Sequence, residues 1–168
     1  MTQKVRQDSF AFLRVLATWR LNKIFMADIS SNFLGIKSPN PFWLASAPPT
    51  DKKYNVLRAF EAGWGGVVWK TLGEAGPPVV NVNGPRYGAL LTPDRRLMGF
   101  NNIELITDRP LKDNLREISE VKKRFPDHAV IASLMVETKE EWHQIVRDVE
   151  NAGADGIELN FGCPHGMC

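Results

Sequence analysis

An α/β fold built on a parallel sheet is what this sequence predicts, and three observations carry the prediction. From about residue 41 onward, short apolar runs alternate with segments of helical period, the pattern of strands joined by helices. Four such strands with helical crossovers imply parallel pairing and right-handed connections. Three polar residues, Ser46, Lys70 and Asn160, fall at the carboxyl ends of three different strands, where chemistry collects in parallel-sheet folds. Two architectures satisfy the pattern. One is a complete doubly wound domain, and the other is a (β/α)8 barrel of which about half is here, because eight units need roughly 250 residues.

The elements follow in order. Residues 42–46, Phe-Trp-Leu-Ala-Ser, read as a buried strand. Residues 51–62 read as a helix with Val56, Leu57, Phe60 and Tyr54 on its apolar face and Gly63 at its end, where a left-handed cap favours glycine. Residues 66–70, Gly-Val-Val-Trp-Lys, form the next strand. A Pro-, Gly- and Asn-rich excursion over residues 73–110 is too long for an ordinary connection, which marks it as a candidate binding loop. Residues 111–125 return to helical spacing through Leu111, Leu115, Ile118, Val121 and Phe125. Residues 129–134 are a strand, and 138–152 a helix opening on Thr138 with Glu141 three positions later, a capping-box signature. Residues 156–160 are the fourth strand, and Pro164 and Gly166 then enforce a loop.

Composition sets bounds on function. With 168 residues, 43% of them hydrophobic, the chain can bury one real core. A formal charge of +2 is too small to argue for nucleic acid. The charge is unevenly placed: Lys4, Arg6, Arg14, Arg20 and Lys23 face only Asp8 in residues 1–26, and the remainder is slightly acidic. Two cysteines near the C-terminus make neither a disulfide framework nor an iron-sulfur ligand set, so a reducing cytoplasm is the default compartment. No run is long and apolar enough to span a membrane.

The polar candidates each have a plain structural alternative. Cys163 sits at the mouth of the fourth strand. A thiol with an ordinary pKa of about 8.5 is mostly protonated at neutral pH and can act as a general acid, or as a nucleophile if a neighbour lowers that pKa. An isolated loop cysteine more often has no role. Here Asn160, with both a donor and an acceptor, lies three residues earlier, and the pair suits a heterocycle bearing carbonyls and ring N–H groups. Lys70 follows Val67, Val68 and Trp69, so its ammonium emerges from a buried strand into a pocket mouth. A snorkelling strand-end lysine is as good an account, but a cation there also stabilises negative charge on a cofactor or ring carbonyl. Asn101 and Asn102 can grip a ligand or simply form turns. Glu104 reads as structural, His128 and His143 as surface positions, and His165 either fixes its loop or assists Cys163. No His, Cys and carboxylate cluster has metal-ligand spacing.

Several stretches taken together carry a resemblance. Asn40-Pro-Phe-Trp-Leu-Ala-Ser-Ala-Pro-Pro49, Phe60-Glu-Ala-Gly-Trp-Gly65, Lys70-Thr71, Gly99-Phe-Asn-Asn-Ile-Glu-Leu105 and Glu158-Leu-Asn-Phe-Gly-Cys-Pro-His-Gly-Met167 resemble the flavin-binding catalytic domain of the dihydropyrimidine dehydrogenases, in their bacterial NAD-dependent form. The match runs from about Met26 to Met167, and the Asn-Phe-Gly-Cys-Pro-His-Gly segment separates this family from the related dihydroorotate dehydrogenases.

The resemblance implies the barrel alternative, an FMN-linked (β/α)8 barrel present as its first half. It also implies reduction of the 5,6 double bond of uracil or thymine. Cys163 is then the proton donor to ring carbon 5, Ala45, Ser46 and Lys70 contact the flavin, and Asn102 and Asn160 hold the pyrimidine edge. NAD(H), FAD and iron-sulfur clusters would enter through further segments or a partner subunit. Some of the family pattern is absent: later strands with a second lysine and the FMN phosphate turns, and a ferredoxin-like segment. The pattern breaks at Cys168. On this reading the chain binds FMN weakly and exposes sheet edges and helix faces. Residues 1–25, with Phe10, Phe12, Leu13, Val15, Leu16 and Trp19 among arginines, look like a basic amphipathic helix of a membrane-surface or targeting kind. A misplaced initiation codon before Met26 is the simpler account. A dihydroorotate dehydrogenase-type reductase and a non-catalytic fragment are the alternatives.

Overall fold

The computed structural model describes residues 27–73, 87–102 and 105–161. Four strands, β3 (Trp43–Leu44), β4 (Gly66–Leu72), β7 (Ala129–Leu134) and β8 (Gly156–Leu159), form one sheet in that spatial order, and every pairing is parallel. Helix α1 (Lys53–Glu61) links β3 to β4, α2 (Leu111–Arg124) precedes β7, and α3 (Lys139–Asn151) links β7 to β8. Two antiparallel hairpins flank this frame, β1 (Ser31–Phe33) with β2 (Ile36–Ser38) and β5 (Tyr87–Leu91) with β6 (Leu97–Asn102).

Strand order decides between the two architectures. A doubly wound sheet reverses direction at a switch point and carries helices on both faces. Here neighbours in space are neighbours in sequence, and Val56 and Phe60 of α1, Ile118 and Val121 of α2, and Ile145 and Val149 of α3 share one core cluster with Val67, Trp69, Val130, Ala132 and Leu134 of the sheet. Alternate residues of β4 and β7 thus meet a single helical layer, as in successive units of a (β/α)8 barrel.

Local chemistry explains the boundaries. Thr138 caps α3 by accepting from the Glu141 N–H, and the Glu141 carboxylate accepts from the Thr138 N–H in return. Gly63 closes α1 with φ of +100°. At Gly65 a Cβ would lie 2.1 Å from the Asn40 carbonyl oxygen, so only glycine lets the chain pass beneath residue 40 into β4. The first hairpin packs β2 against β7, with Ile36 close to Gly156. It therefore closes the amino end of the sheet, opposite to Ser46 and Asn160.

Several expectations change. Phe42 is exposed and only Trp43 and Leu44 pair as strand, because the Asn40 side chain holds the Phe42 N–H outside the sheet. Helix α1 starts at Lys53, and Tyr54 points to solvent beside Arg58 rather than into the core. The 73–110 excursion contains the β5–β6 hairpin. His128 is not a simple surface residue: it is half-buried between the rings of Phe60 and Phe125. No helix among the described residues is long and apolar enough to cross a membrane.

Candidate active site at the strand ends

The site starts from an irregularity in β4. Trp69 pairs with Ala132 and Leu72 with Leu134, so three steps on β4 span two on β7. Trp69 and Leu72 both enter the helix-side core, and the extra residue of this bulge turns Lys70 and Thr71 together toward the opposite face. Two adjacent polar side chains are thereby delivered where a regular strand would deliver one. Both are buried, Lys70 at 4% and Thr71 at 5% exposure.

Thr71 is the centre of a hydroxyl cluster reaching every strand of the sheet. Its Oγ1 lies 3.1 Å from Ser46 Oγ, just past β3, and 3.0 Å from Ser133 Oγ on β7. It also accepts from Asn160 Nδ2, just past β8, at 3.0 Å. The Thr71 N–H donates to Ser46 Oγ, and the Asn160 N–H donates to the Leu134 carbonyl. Ala45 is braced through its carbonyl, which accepts from Thr50 Oγ1. Residues expected to meet a ligand from separate strands are thus linked through one threonine.

Lys70 is tied to the chain that follows the hairpin. It is buried, and Nζ donates to the Leu105 carbonyl at 2.7 Å, on the segment that returns from the hairpin. That segment is held further by the Thr107 N–H, which donates to the Thr71 carbonyl, and by Thr107 Oγ1, which donates to Asp51 Oδ1 at 2.6 Å. Asp51 is itself buried. Burial raises its carboxyl pKa, although the Thr107 hydroxyl, Arg109 and Lys70 act in the other direction. Arg109 forms a two-pronged pair with Glu117 of α2, which pins the return to the helical layer.

Asn102 ends β6 and pairs across the hairpin with Tyr87, and Asn101 pairs with Gly88. Cys163 and His165 lie outside the described residues, as do Glu104 and residues 1–26. Among the described residues no group of three or more His, Cys, Asp or Glu is placed to hold a metal ion. Ser133, Thr107 and Asp51 were not singled out from sequence, and Thr71 entered only as part of a motif. The available signal was Ser133 as the one polar residue in the apolar run of β7, since a buried hydroxyl must find a partner.

Comparison with known proteins gives the same direction. The chain is 43% identical over 146 residues to the chloroplastic dihydropyrimidine dehydrogenase (NADP(+)) of Arabidopsis thaliana, covering 83% of this chain and 34% of that protein. It is 42% identical over 137 residues to the NAD-dependent dihydropyrimidine dehydrogenase subunit PreA of Escherichia coli K12, covering 82% of this chain and 33% of the relative. The catalytic subunit of dihydroorotate dehydrogenase B (NAD(+)) of Thermoplasma acidophilum is 30% identical over 146 residues, 83% of this chain and 43% of that protein. No family model matches the chain. It spans about a third of the length of the dihydropyrimidine dehydrogenases it matches.

Proposed function

We propose that this chain, a part-length relative of the dihydropyrimidine dehydrogenases, carries strand-end residues of an FMN-dependent enzyme that reduces the 5,6 double bond of uracil or thymine. The observation that carries the reading is the cluster of Ser46, Thr71, Ser133 and Asn160 beside Lys70 at the carboxyl ends of four parallel strands, in a chain 42–43% identical to enzymes of that name. The donor set fits a flavin. A buried ammonium, a serine hydroxyl and backbone groups at Ala45 and Ser46 suit the carbonyl and ring nitrogen edge of an isoalloxazine. FMN, when bound, supplies the hydride that reaches ring carbon 6.

The chain's own residues do the rest. Lys70, fixed by the Leu105 carbonyl, stabilises negative charge that builds on the ring system. Asn102 and Asn160 orient the pyrimidine by pairing with its carbonyl and N–H groups, and a site built for such pairing rejects analogues that lack them. Cys163 Sγ carries the proton delivered to carbon 5. Electrons arrive from NAD(H) through a partner carrying FAD and iron-sulfur clusters, a role consistent with the subunit status in the Escherichia coli relative's name. The enzyme works in the cytoplasm. A second reading, a dihydroorotate dehydrogenase-type reductase, draws on the 30% identity to the Thermoplasma protein.

Anaerobic reoxidation of chemically reduced FMN in the presence of the chain tests both. Uracil- or thymine-dependent reoxidation is expected, and Cys163→Ala should slow it by roughly 10²–10⁴-fold, the usual worth of a general acid. Orotate dependence without uracil dependence establishes the second reading. Normal uracil reduction by Cys163→Ala removes the thiol from its assigned role.

A further inference from the structure

We propose that Asp51 is a positioning residue, which acts through the Thr107 hydroxyl to hold the Leu105 carbonyl against the Lys70 ammonium. Its consequence for cofactor binding rests on the reading above, in which Lys70 meets the flavin.

Asp51 stands just before the N-cap of α1, yet its carboxylate serves no helix N–H, since α1 begins without a side-chain cap. It reaches instead to Thr107, 56 positions later, at 2.6 Å. The direction of this bond is fixed. Thr107 Oγ1 accepts the Arg109 N–H, and its one proton goes to Asp51 Oδ1. Burial raises the Asp51 pKa, but the Thr107 bond and the charges of Arg109 and Lys70 favour the ionised form, which only accepts.

The consequence is attachment at two points. The Thr107 N–H donates to the Thr71 carbonyl of β4, and one backbone bond alone is a pivot about which the segment can turn. The bond to Asp51 ties the same residue to a second element, and Arg109 adds a bond to the Asp51 carbonyl. Leu105 lies two residues before Thr107, and its carbonyl accepts from Lys70 Nζ. Without the Asp51 carboxylate the pivot remains and the second tie is gone. The Leu105 carbonyl then swings away, a buried ammonium loses an acceptor, and this part of the fold opens to water more often.

Competitive acetylation of the lysines in the 168-residue chain, read by peptide mass spectrometry, tests this directly. Buried Lys70 reacts only when its surroundings open. Its rate should rise roughly tenfold in Asp51→Ala and in Thr107→Val, the effect of losing about one hydrogen bond. It should stay at the parent value in Asp51→Asn and Thr107→Ser, which keep the acceptor and the donor. Lys122, held by Asp155, is the internal reference and should not change. Thr138→Ala weakens the fold at the cap of α3 and should leave Lys70 slow, and circular dichroism checks that each variant is folded. Unchanged Lys70 labelling in folded Asp51→Ala and Thr107→Val overturns the proposal. So does labelling in Asp51→Asn, or in Thr138→Ala, as fast as in Asp51→Ala.

FMN titration separates the proposal from the flavin reading. Asp51→Ala should weaken binding roughly tenfold in the parent and add nothing in Lys70→Met, the non-additivity of two residues that act as a unit. Equal losses in both backgrounds overturn the proposal. Faster Lys70 labelling in a chain that never binds FMN supports the positioning role and defeats the flavin assignment.

Discussion

Asn114 is completely buried on α2, where its Oδ1 accepts from the Trp69 indole N–H at 3.1 Å and from Arg109. Asn114→Ala leaves the indole donor without a partner in the core. Urea denaturation should register a loss of about 1–3 kcal/mol. His128 makes a pH-dependent case. Burial between Phe60 and Phe125 lowers its pKa, Lys122 adds to the effect, and Asp127 opposes it. The unfolded chain therefore takes up a proton at about pH 6.5 that the fold refuses, so stability falls as pH drops below that value. His128→Phe should flatten the stability profile between about pH 7.5 and 5.5, and a slope as steep as the parent's would exclude His128 as its source. Neither residue was legible as important in the sequence. Asn114 lies in a polar stretch of helix, and His128 follows Pro126 and Asp127 in what reads as a surface turn. What the sequence does reveal is strand-end polarity at Ser46 and Asn160, which follow β3 and β8, whereas Lys70 lies within β4, which runs on to the buried Leu72.

Helices and the longer strands were the readable elements because their signals are periodic and local. Leu111, Leu115, Ile118, Val121 and Phe125 all join the core as their spacing requires, and the Thr138 capping box forms as written. Thr138→Ala should cost about 1 kcal/mol, read as a lower urea midpoint with unchanged slope. Elements set by long-range pairing were not readable. The β5–β6 hairpin hides in a segment of Gly, Pro and Asn, because its strands expose both faces and lack alternation. The bulge in β4 is equally silent. It depends on how Leu72 meets Leu134 across the sheet, yet it is what turns Lys70 and Thr71 to the same side. Asp51 and Thr107, 56 positions apart, join only once the excursion has returned.

At the scale of the whole molecule, the sequential order of β3, β4, β7 and β8 with one helical layer gives barrel-type architecture. Among the described residues β8 is the last strand of the sheet, with Ile157 and Leu159 at 41% and 51% exposure on the same side as Ala132 and Leu134. An apolar edge invites pairing with another chain. Leu159→Lys should therefore shift the chain toward monomer in sedimentation velocity, and an unchanged distribution would locate association elsewhere. In the proposed reading the carboxyl ends of these strands form a flavin site centred on Lys70. Titration of FMN with the purified chain, followed by quenching of flavin fluorescence, tests it most directly. The expected result is weak but saturable quenching that Lys70→Met reduces at least roughly tenfold, the loss of one charge-assisted contact. Saturable binding that is indifferent to Lys70→Met, or no saturable binding at all, would contradict it.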